Sequence, residues 1–415
     1  MAPRSFRVSV PALALLMGCG NGTGPSAVPP LLTSLPRPLT AAESGIAAAS
    51  NQFAFGLLSQ AQAADPGGNI FLSPLSATMA LGMTLNGADG ETYEQMRATL
   101  GFGTISQAEI NAGYKGLLEL LVGLDRSTAI HVANSIWAES GFPFLPSFMS
   151  AGRDWFDAEV RNVSFADPAT LDALNAWVRQ KTNDKIPKLL DQFDPQTVMT
   201  LLNAVYFKGS WRHAFKTSET RSEPFHSPSA TQSVAMMRRE GKVGYYETSA
   251  YQAAELLYGN GGFAMTIVLP RVGVSPAEVL GQDPGLEWAR LSGRVLVESE
   301  VQLMLPRFRM DYRRDLSGDL RALGMPLAFD DTQANFSRMA APPNQLFLSS
   351  VIQKTFVDVN EEGTEAAAAT AVQVGVTSLP QTFVMTVDRP FLVVIRERFA
   401  GTILFLGQVV SIPTS

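Results

Sequence analysis

The sequence has one cysteine, three histidines and few charges. The single cysteine excludes an intrachain disulfide framework and any zinc site built on cysteine pairs. His131, His213 and His226 stand far apart and leave little for a histidine metal centre. Charged residues make up 17% of 415, below the usual quarter. Lys+Arg number 32 against 38 Asp+Glu, a net −6, which argues against nucleic acid or polyanion binding. There is no Gly-x-Ser-x-Gly elbow, no His-Glu-x-x-His and no phosphate-binding glycine loop, so the hydrolase, metalloprotease and nucleotide classes lack their signatures. No cofactor or metal is expected. Apolar residues make up 46%, with 24 Phe and 5 Trp, ample for a large core.

The first residues read as a targeting segment. Arg4 and Arg7 precede a ten-residue apolar stretch, Val8 to Met17, too short to span a bilayer as a helix. Leu16-Met17-Gly18-Cys19 follows. This resembles the lipobox of bacterial lipoproteins, in which the cysteine is acylated and becomes the first mature residue. The alternative is an ordinary secretory signal with an incidental cysteine. Residues 1–18 are thus expected to be a signal peptide and Cys19 the lipidation site. The protein would be exported and held at the outer membrane or cell surface by lipid alone, or otherwise secreted. Residues 19–41 carry three glycines, five prolines and one charge, Arg37. They are expected to form a flexible linker, spanning roughly 25 Å as a coil.

Residues 42–415 read as one domain. Ala41 to Ala64 is a helix, ended by Pro66-Gly67-Gly68. Ser73-Pro74 starts a second, with serine at the cap and proline at the first helical position. Leu171 to Thr182 is an amphipathic helix, and Leu316 to Leu323 is a helix closed by Gly324. Strands are expected at 197–207, 263–269, 301–305 and 346–359, with a late hairpin at 391–395 and 402–410 turning near Gly401. Helices dominate early and strands late without βαβ alternation, so the class is α+β. Arg307, Arg309, Arg313 and Arg314, interleaved with Asp311, Asp315 and Asp319, read as a solvated face.

The segment from Glu361 to Ser378 is unusual. As a helix it would be alanine-rich surface. Under strand alternation, one face is Thr364, Ala366, Ala368, Thr370, Val372, Val374 and Val376. That face has no charge and no large side chain. The other begins Glu365, Ala367, Ala369. Such a stretch can exist as an exposed loop or as a strand inserted into a packed sheet.

Several motifs now fall into one order. Asn69-Ile70-Phe71-Leu72-Ser73-Pro74-Leu75-Ser76 comes first, then Gly87-Ala88-Asp89-Gly90-Glu91-Thr92. Asn203-Ala204-Val205-Tyr206-Phe207-Lys208-Gly209-x-Trp211 and Leu305-Pro306-x-Phe308 follow, then Asn335-Phe336-Ser337-x-Met339. Val359-Asn360-Glu361-Glu362-Gly363-Thr364-Glu365-Ala366-Ala367-Ala368 precedes Val387-Asp388-Arg389-Pro390-Phe391-Leu392. In order and spacing this resembles the serpin family over nearly all of residues 42–415.

The resemblance implies three β-sheets, eight or nine helices and an exposed reactive-centre loop. It implies a protein that is not an enzyme but a monomeric suicide substrate of serine proteases. Cleavage would give a covalent acyl-enzyme, and the loop would then insert into the main sheet. Glu361, Glu362, Gly363, Thr364, Glu365, Ala366, Ala367, Ala368, Ala369 and Thr370 resemble the hinge, and counting along it places the cleaved bond at Thr377-Ser378. Ser73, Ser76, Asn203, Trp211 and Gln353 fall at the family's shutter and breach. The family often has histidine where Gln353 stands. The expectation is that the Gln353 amide bridges Asn203 and Ser76 and changes the pH response. The heparin-binding helix of some members would lie near residues 109–125, where Lys115 is the only base, so no heparin binding is expected. The competing readings are a non-inhibitory carrier or chaperone on the same fold and a lipid-anchored hydrolase. Carriers are expected to have a charged or proline-containing hinge, and Gly363–Val374 has no proline and only Glu365 charged.

Overall fold

The structure is a computed structural model and describes residues 29–279, 281, 283–294, 297–364 and 382–413. The first half holds α1 (Ala41–Ala64), β1 (Ile70–Leu72), α2 (Pro74–Leu85), α3 (Gly90–Thr99), α4 (Gln107–Gly123), β2 (Thr128–Glu139), α5 (Pro146–Phe156), β3 (Ala158–Val163), α6 (Pro168–Lys181) and β4 (Met199–Ser210). β5 (Arg221–His226), β6 (Thr231–Glu247), β7 (Tyr251–Tyr258), β8 (Phe263–Pro270), α7 (Pro276–Val279) and α8 (Pro284–Arg294) follow. The chain closes with β9 (Glu298–Pro306), β10 (Phe308–Asp315), α9 (Ser317–Leu323), β11 (Ile352–Val359), β12 (Gly363–Thr364), β13 (Thr382–Thr386), β14 (Phe391–Glu397) and β15 (Ile403–Val409). The α+β class holds, with nine α-helices among the described residues.

The main sheet has the order β10-β11-β12-β4-β2-β3. The other strands form one hydrogen-bonded network, β1-β15-β14-β8-β7-β6-β9-β13, with β5 on β6. The second and third sheets implied by the resemblance are joined here because β6 is 17 residues long. Its early part pairs β5, its middle pairs β9 and its end pairs β7. Gly241, in the middle of β6, has φ +137°.

Local sequence explains most boundaries. Thr40 caps α1 through a capping box with Glu43. Gly324 takes φ +122° directly after α9, and Gly401 takes φ +77° in the β14–β15 hairpin, both backbone conformations that favour glycine. Two expectations need correction. Ser73 occupies the cap position of α2, but its hydroxyl donates to Leu404 O at 2.8 Å instead of capping the helix. The strand expected from residue 346 begins only at Ile352.

The core lies between the main sheet, the helices α1 and α2, and the strands β7, β8, β14 and β15. A smaller cluster lies on the opposite face of the main sheet. There Leu174, Trp177 and Val178 of α6, with Ile186 and Leu189 after it, cover Trp137, Leu202 and Ala204, and Ile352 and Phe356 pack against the same cluster. α6 and its following loop therefore bridge β4 and β11.

Residues 29–40, assigned to the linker by composition, lie against this body. Leu32 N–H donates to Asn260 O at 2.7 Å, and Leu32 and Leu35 pack on the core. Arg37 grips Glu43 through two bonds of 2.7 Å. Proline and glycine density signalled the lack of a helix or strand there, but it carried no information about docking.

Candidate functional site

The hinge enters the main sheet at one end. β11 stops at Val359, and Asn360 turns the chain: its Oδ1 accepts from Glu362 N–H at 3.0 Å, the side-chain turn at which asparagine is favoured. Asn360 N–H donates to Gly363 O at 3.0 Å. Thr364 then lies opposite Val359 on one side and Gly209 on the other, antiparallel to both. β12 therefore stands between β11 and β4, which share no ladder with each other among the described residues.

The side chains around β12 form a clamp, the breach. Thr364 is 2% exposed, and its hydroxyl shares a 2.7 Å hydrogen bond with Tyr258 OH. Burial pushes the Tyr258 phenol far above its ordinary range, so it stays protonated and available to donate. Gly209 leaves room for this ring: a Cβ there would fall 2.7 Å from Tyr258 Cδ1. Trp211 stacks on the same ring at 4.5 Å, donates its indole N–H to Asn360 O at 2.9 Å and its backbone N–H to Glu362 O at 2.8 Å. Glu361 is 3% exposed. Its carboxylate accepts from Arg307 Nε at 2.6 Å and Nη2 at 2.5 Å, and from Thr220 Oγ1 at 2.5 Å. Burial pushes the Glu361 carboxyl up, but the bonds from Arg307 and Thr220 outweigh it and hold the group below its ordinary range.

The second anchor point, the shutter, lies further down the sheet and is built from neutral groups. Gln353 does not bridge Asn203 and Ser76 as expected. Its Oε1 accepts from Ser73 N–H at 3.0 Å and its Nε2 donates to Ser73 O at 2.8 Å, so it holds the start of α2 by the backbone. The amide reaches Ser73 because Gln353 is an inward-facing, buried position of β11. Ser76 and Asn203 need no bridge, since the Ser76 hydroxyl donates directly to Asn203 Oδ1. Asn203 Nδ2 donates to Asn134 Oδ1 at 2.6 Å, and Asn134 Nδ2 donates to Phe156 O at 2.6 Å. Thr355 Oγ1 donates to Phe71 O at 2.5 Å beside them. The network ties β11 to α2 and α2 to β4 and β2.

The structure thus brings together Glu361, Glu362, Gly363, Thr364 and Trp211 at the breach, and Ser73, Ser76, Asn203 and Gln353 at the shutter. Glu365, Ala366, Ala367, Ala368, Ala369, Thr370, Thr377, Ser378 and Cys19 lie outside the described residues. Arg307, Thr220 and Tyr258 were missed by sequence reasoning. Arg307 was grouped with a solvated cluster, yet it sits just before β10 and reaches a carboxylate 54 positions away. The Leu305-Pro306-x-Phe308 motif marked its place without its role. Of the other arginines, Arg309 lies over the Phe356 ring at 5.0 Å and Arg314 pairs with Asp319 at 2.6 Å. Lys115 donates to Asp154 O at 3.0 Å. Among the described residues no group of three His, Cys, Asp or Glu could hold a metal ion.

Comparison with known proteins places this geometry. The family model described as Serpin (serine protease inhibitor) matches residues 48–412. The leukocyte elastase inhibitor of Bos taurus is 35% identical over 380 residues, covering 88% of this chain and 99% of its own. Serpin B11 of Homo sapiens is 33% identical over 393 residues, with 88% and 99% covered. Among solved structures, the thermophilic serpin tengpin in its native state superimposes with a TM-score of 0.80 at 28% identity, covering 92% of this chain and 96% of its own. Human thyroxine-binding globulin complexed with thyroxine superimposes with a TM-score of 0.82 at 26% identity, with 90% and 100% covered.

Proposed function

This chain belongs to the serpin family, and on that premise we propose that it inhibits serine proteases as a suicide substrate. The observation that carries the reading is β12. Gly363 and Thr364 of the hinge are already strand, flanked on both sides, with Thr364 buried and uncharged in the place from which insertion would propagate. The protease serine attacks the Thr377 carbonyl, an ester forms there, and Ser378 becomes a new N-terminus. Residues 363–377 then add a central strand. At ~1 kcal/mol net per hydrogen bond, that gain is on the order of 10–20 kcal/mol. Fifteen residues reach about 50 Å as a strand, enough to carry the ester-linked protease past the shutter. The uncharged small side chains of the inward face keep insertion ahead of ester hydrolysis.

The bait ends Val374-Gly375-Val376-Thr377-Ser378 with no arginine, lysine or ring. A trypsin-type pocket wants a cation and a chymotrypsin-type slot a large ring, so elastase-like or subtilisin-like proteases are the assigned targets. One relative carries elastase inhibition in its name. The test is incubation with elastase, subtilisin and trypsin. An SDS-resistant adduct with either of the first two, and a released fragment beginning at Ser378 by mass spectrometry, support the reading. Clean cleavage without adduct would make the protein a non-inhibitory serpin, and fast trypsin inhibition alone would overturn the target assignment.

From the likeness of Leu16-Met17-Gly18-Cys19 to a lipobox we also propose that the protein is held on the bacterial envelope through acylated Cys19, at the outer membrane or cell surface. No helix among the described residues is long and apolar enough to cross a membrane. Cys19→Ala should move the protein from the membrane to the soluble fraction, and an unchanged membrane fraction would refute the anchor.

A further inference from the structure

The point at which the N-terminal segment meets the body lies beside the hinge. Pro29 O accepts from Arg212 Nη1 at 2.8 Å, and the same nitrogen donates to Gly259 O at 2.9 Å. Arg212 directly follows Trp211, whose N–H and indole hold Glu362 and Asn360. From there residues 29–40 are fixed again at Asn260 through Leu32, and at Glu43 and Gly116 O through Arg37. The chain that leads back to Cys19 therefore departs from the breach end of the main sheet. It does not depart from the start of α1, where composition alone had ended the linker.

Length makes this consequential. Cys19 and Pro29 are ten steps apart, and ten residues reach at most ~36 Å however they are arranged. The opposite end of β4, at Met199, is eleven steps from Ser210, about 37 Å along the strand. A body of that size, held by one corner next to a surface, cannot take orientations that would push its far end through the bilayer.

We propose that the acylated protein stands with its breach pole toward the lipid bilayer and the Met199 pole outermost. Its bait then works in the layer next to the membrane, and the proteases that meet it are those acting within that layer. The proposal rests on the lipid-anchor reading of Cys19.

The experiment uses the full acylated chain in phosphatidylcholine vesicles doped with an energy-transfer acceptor lipid. A single introduced cysteine carries the donor dye, either Ser218→Cys or Gln196→Cys. Both positions are exposed. Ser218 lies two residues before the Glu361 partner Thr220, and Gln196 lies three residues before β4. Transfer is expected to be several-fold stronger from position 218. Equal or reversed transfer in protein that floats with the vesicles overturns the orientation and leaves the anchor standing. Failure to float overturns both. Inserting a twenty-residue Gly/Ser segment after Gly24, outside the described residues, should shrink the difference between the two labels. A difference that survives the insertion would show that the tether does not set the orientation.

Discussion

Gln353 and Glu361 lie eight positions apart, one on β11 and one just past it, and each holds the main sheet by a different chemistry. At the breach a buried carboxylate meets a guanidinium that is 43% exposed, with an indole and a phenol closing over β12. At the shutter amides, hydroxyls and a backbone peptide bond each other, and none of them titrates in the physiological range. The breach can therefore be opened by charge or acid. The shutter can be opened only by removing a hydrogen-bonding partner. On the proposed insertion mechanism the sheet parts and re-closes between β4 and β11, and it is then gated at one end by electrostatics and clasped at the other by neutral polar groups.

The largest effect should come from placing a charge on the breach face itself. Thr364→Arg puts a guanidinium where a 2%-exposed hydroxyl now meets Tyr258. Burying it unpaired costs several kcal/mol. Insertion should slow, and the protein should be cleaved as a substrate with little adduct. A stoichiometry of inhibition near wild type would refute insertion through this position.

Next comes the clasp. Asn203→Ala strands the Ser76 hydroxyl and Asn134 Oδ1 together. An unsatisfied buried polar group costs ~1–3 kcal/mol, so a loss of about 2–3 kcal/mol in denaturant unfolding is expected, with no change in its pH dependence. A pH-dependent loss would mean that the shutter contains a titrating group.

Glu361→Gln should do less at neutral pH, about 1–2 kcal/mol, because water already screens Arg307. Its signature is in acid. The Glu361 carboxyl is depressed in the folded state. Its stabilisation is therefore complete above the ordinary carboxyl value of ~4.3 and is lost as pH falls through the lower folded value. The variant should lack that acid-side loss. Identical acid unfolding curves would show that Glu361 does not hold the breach.

What the sequence revealed follows the same division. Thr364 was legible as an inward, buried position because strand alternation sorts side chains by size and charge without knowledge of any partner. The two ends of α1, the β14–β15 hairpin at Gly401 and the stop at Gly324 were legible because caps and glycine turns are local. Arg307 was not, since a guanidinium among interleaved aspartates reads as solvated until its distant carboxylate is placed. Tyr258 and Thr220 carried no signal, because their role exists only where β7 and the segment after β4 meet the hinge. Gln353 was found by position but given the wrong partner, since its reach depends on the Ser73 backbone and not on nearby side chains. Residues 29–40 had linker composition, and only tertiary contacts with Asn260, Arg212 and Gly116 show them docked.

The smallest effect at neutral pH, and the sharpest test of the comparison, is Gln353→His. A neutral imidazole can accept the Ser73 N–H with one nitrogen and donate to Ser73 O with the other, much as the amide does. Near pH 8 the variant should therefore unfold within about 1 kcal/mol of wild type, the scale of one hydrogen bond. Protonation makes both nitrogens donors, and the Ser73 N–H then loses its acceptor. The folded state, holding the ring buried and neutral, should have a histidine pKa below the unfolded value of ~6.5. The unfolded chain then binds the extra proton, so stability falls as pH drops below ~6.5 and keeps falling until the folded pKa is passed. Wild type carries its own fall from His213, whose burial beside Arg239 and Arg212 holds its pKa below the ordinary value, so the step is read as the difference between the two proteins from pH 8 to 5, where neither the shutter amides nor the depressed Glu361 titrates. Unfolding midpoints of the two proteins across that range decide the matter. Parallel curves would mean that position 353 does not hold Ser73.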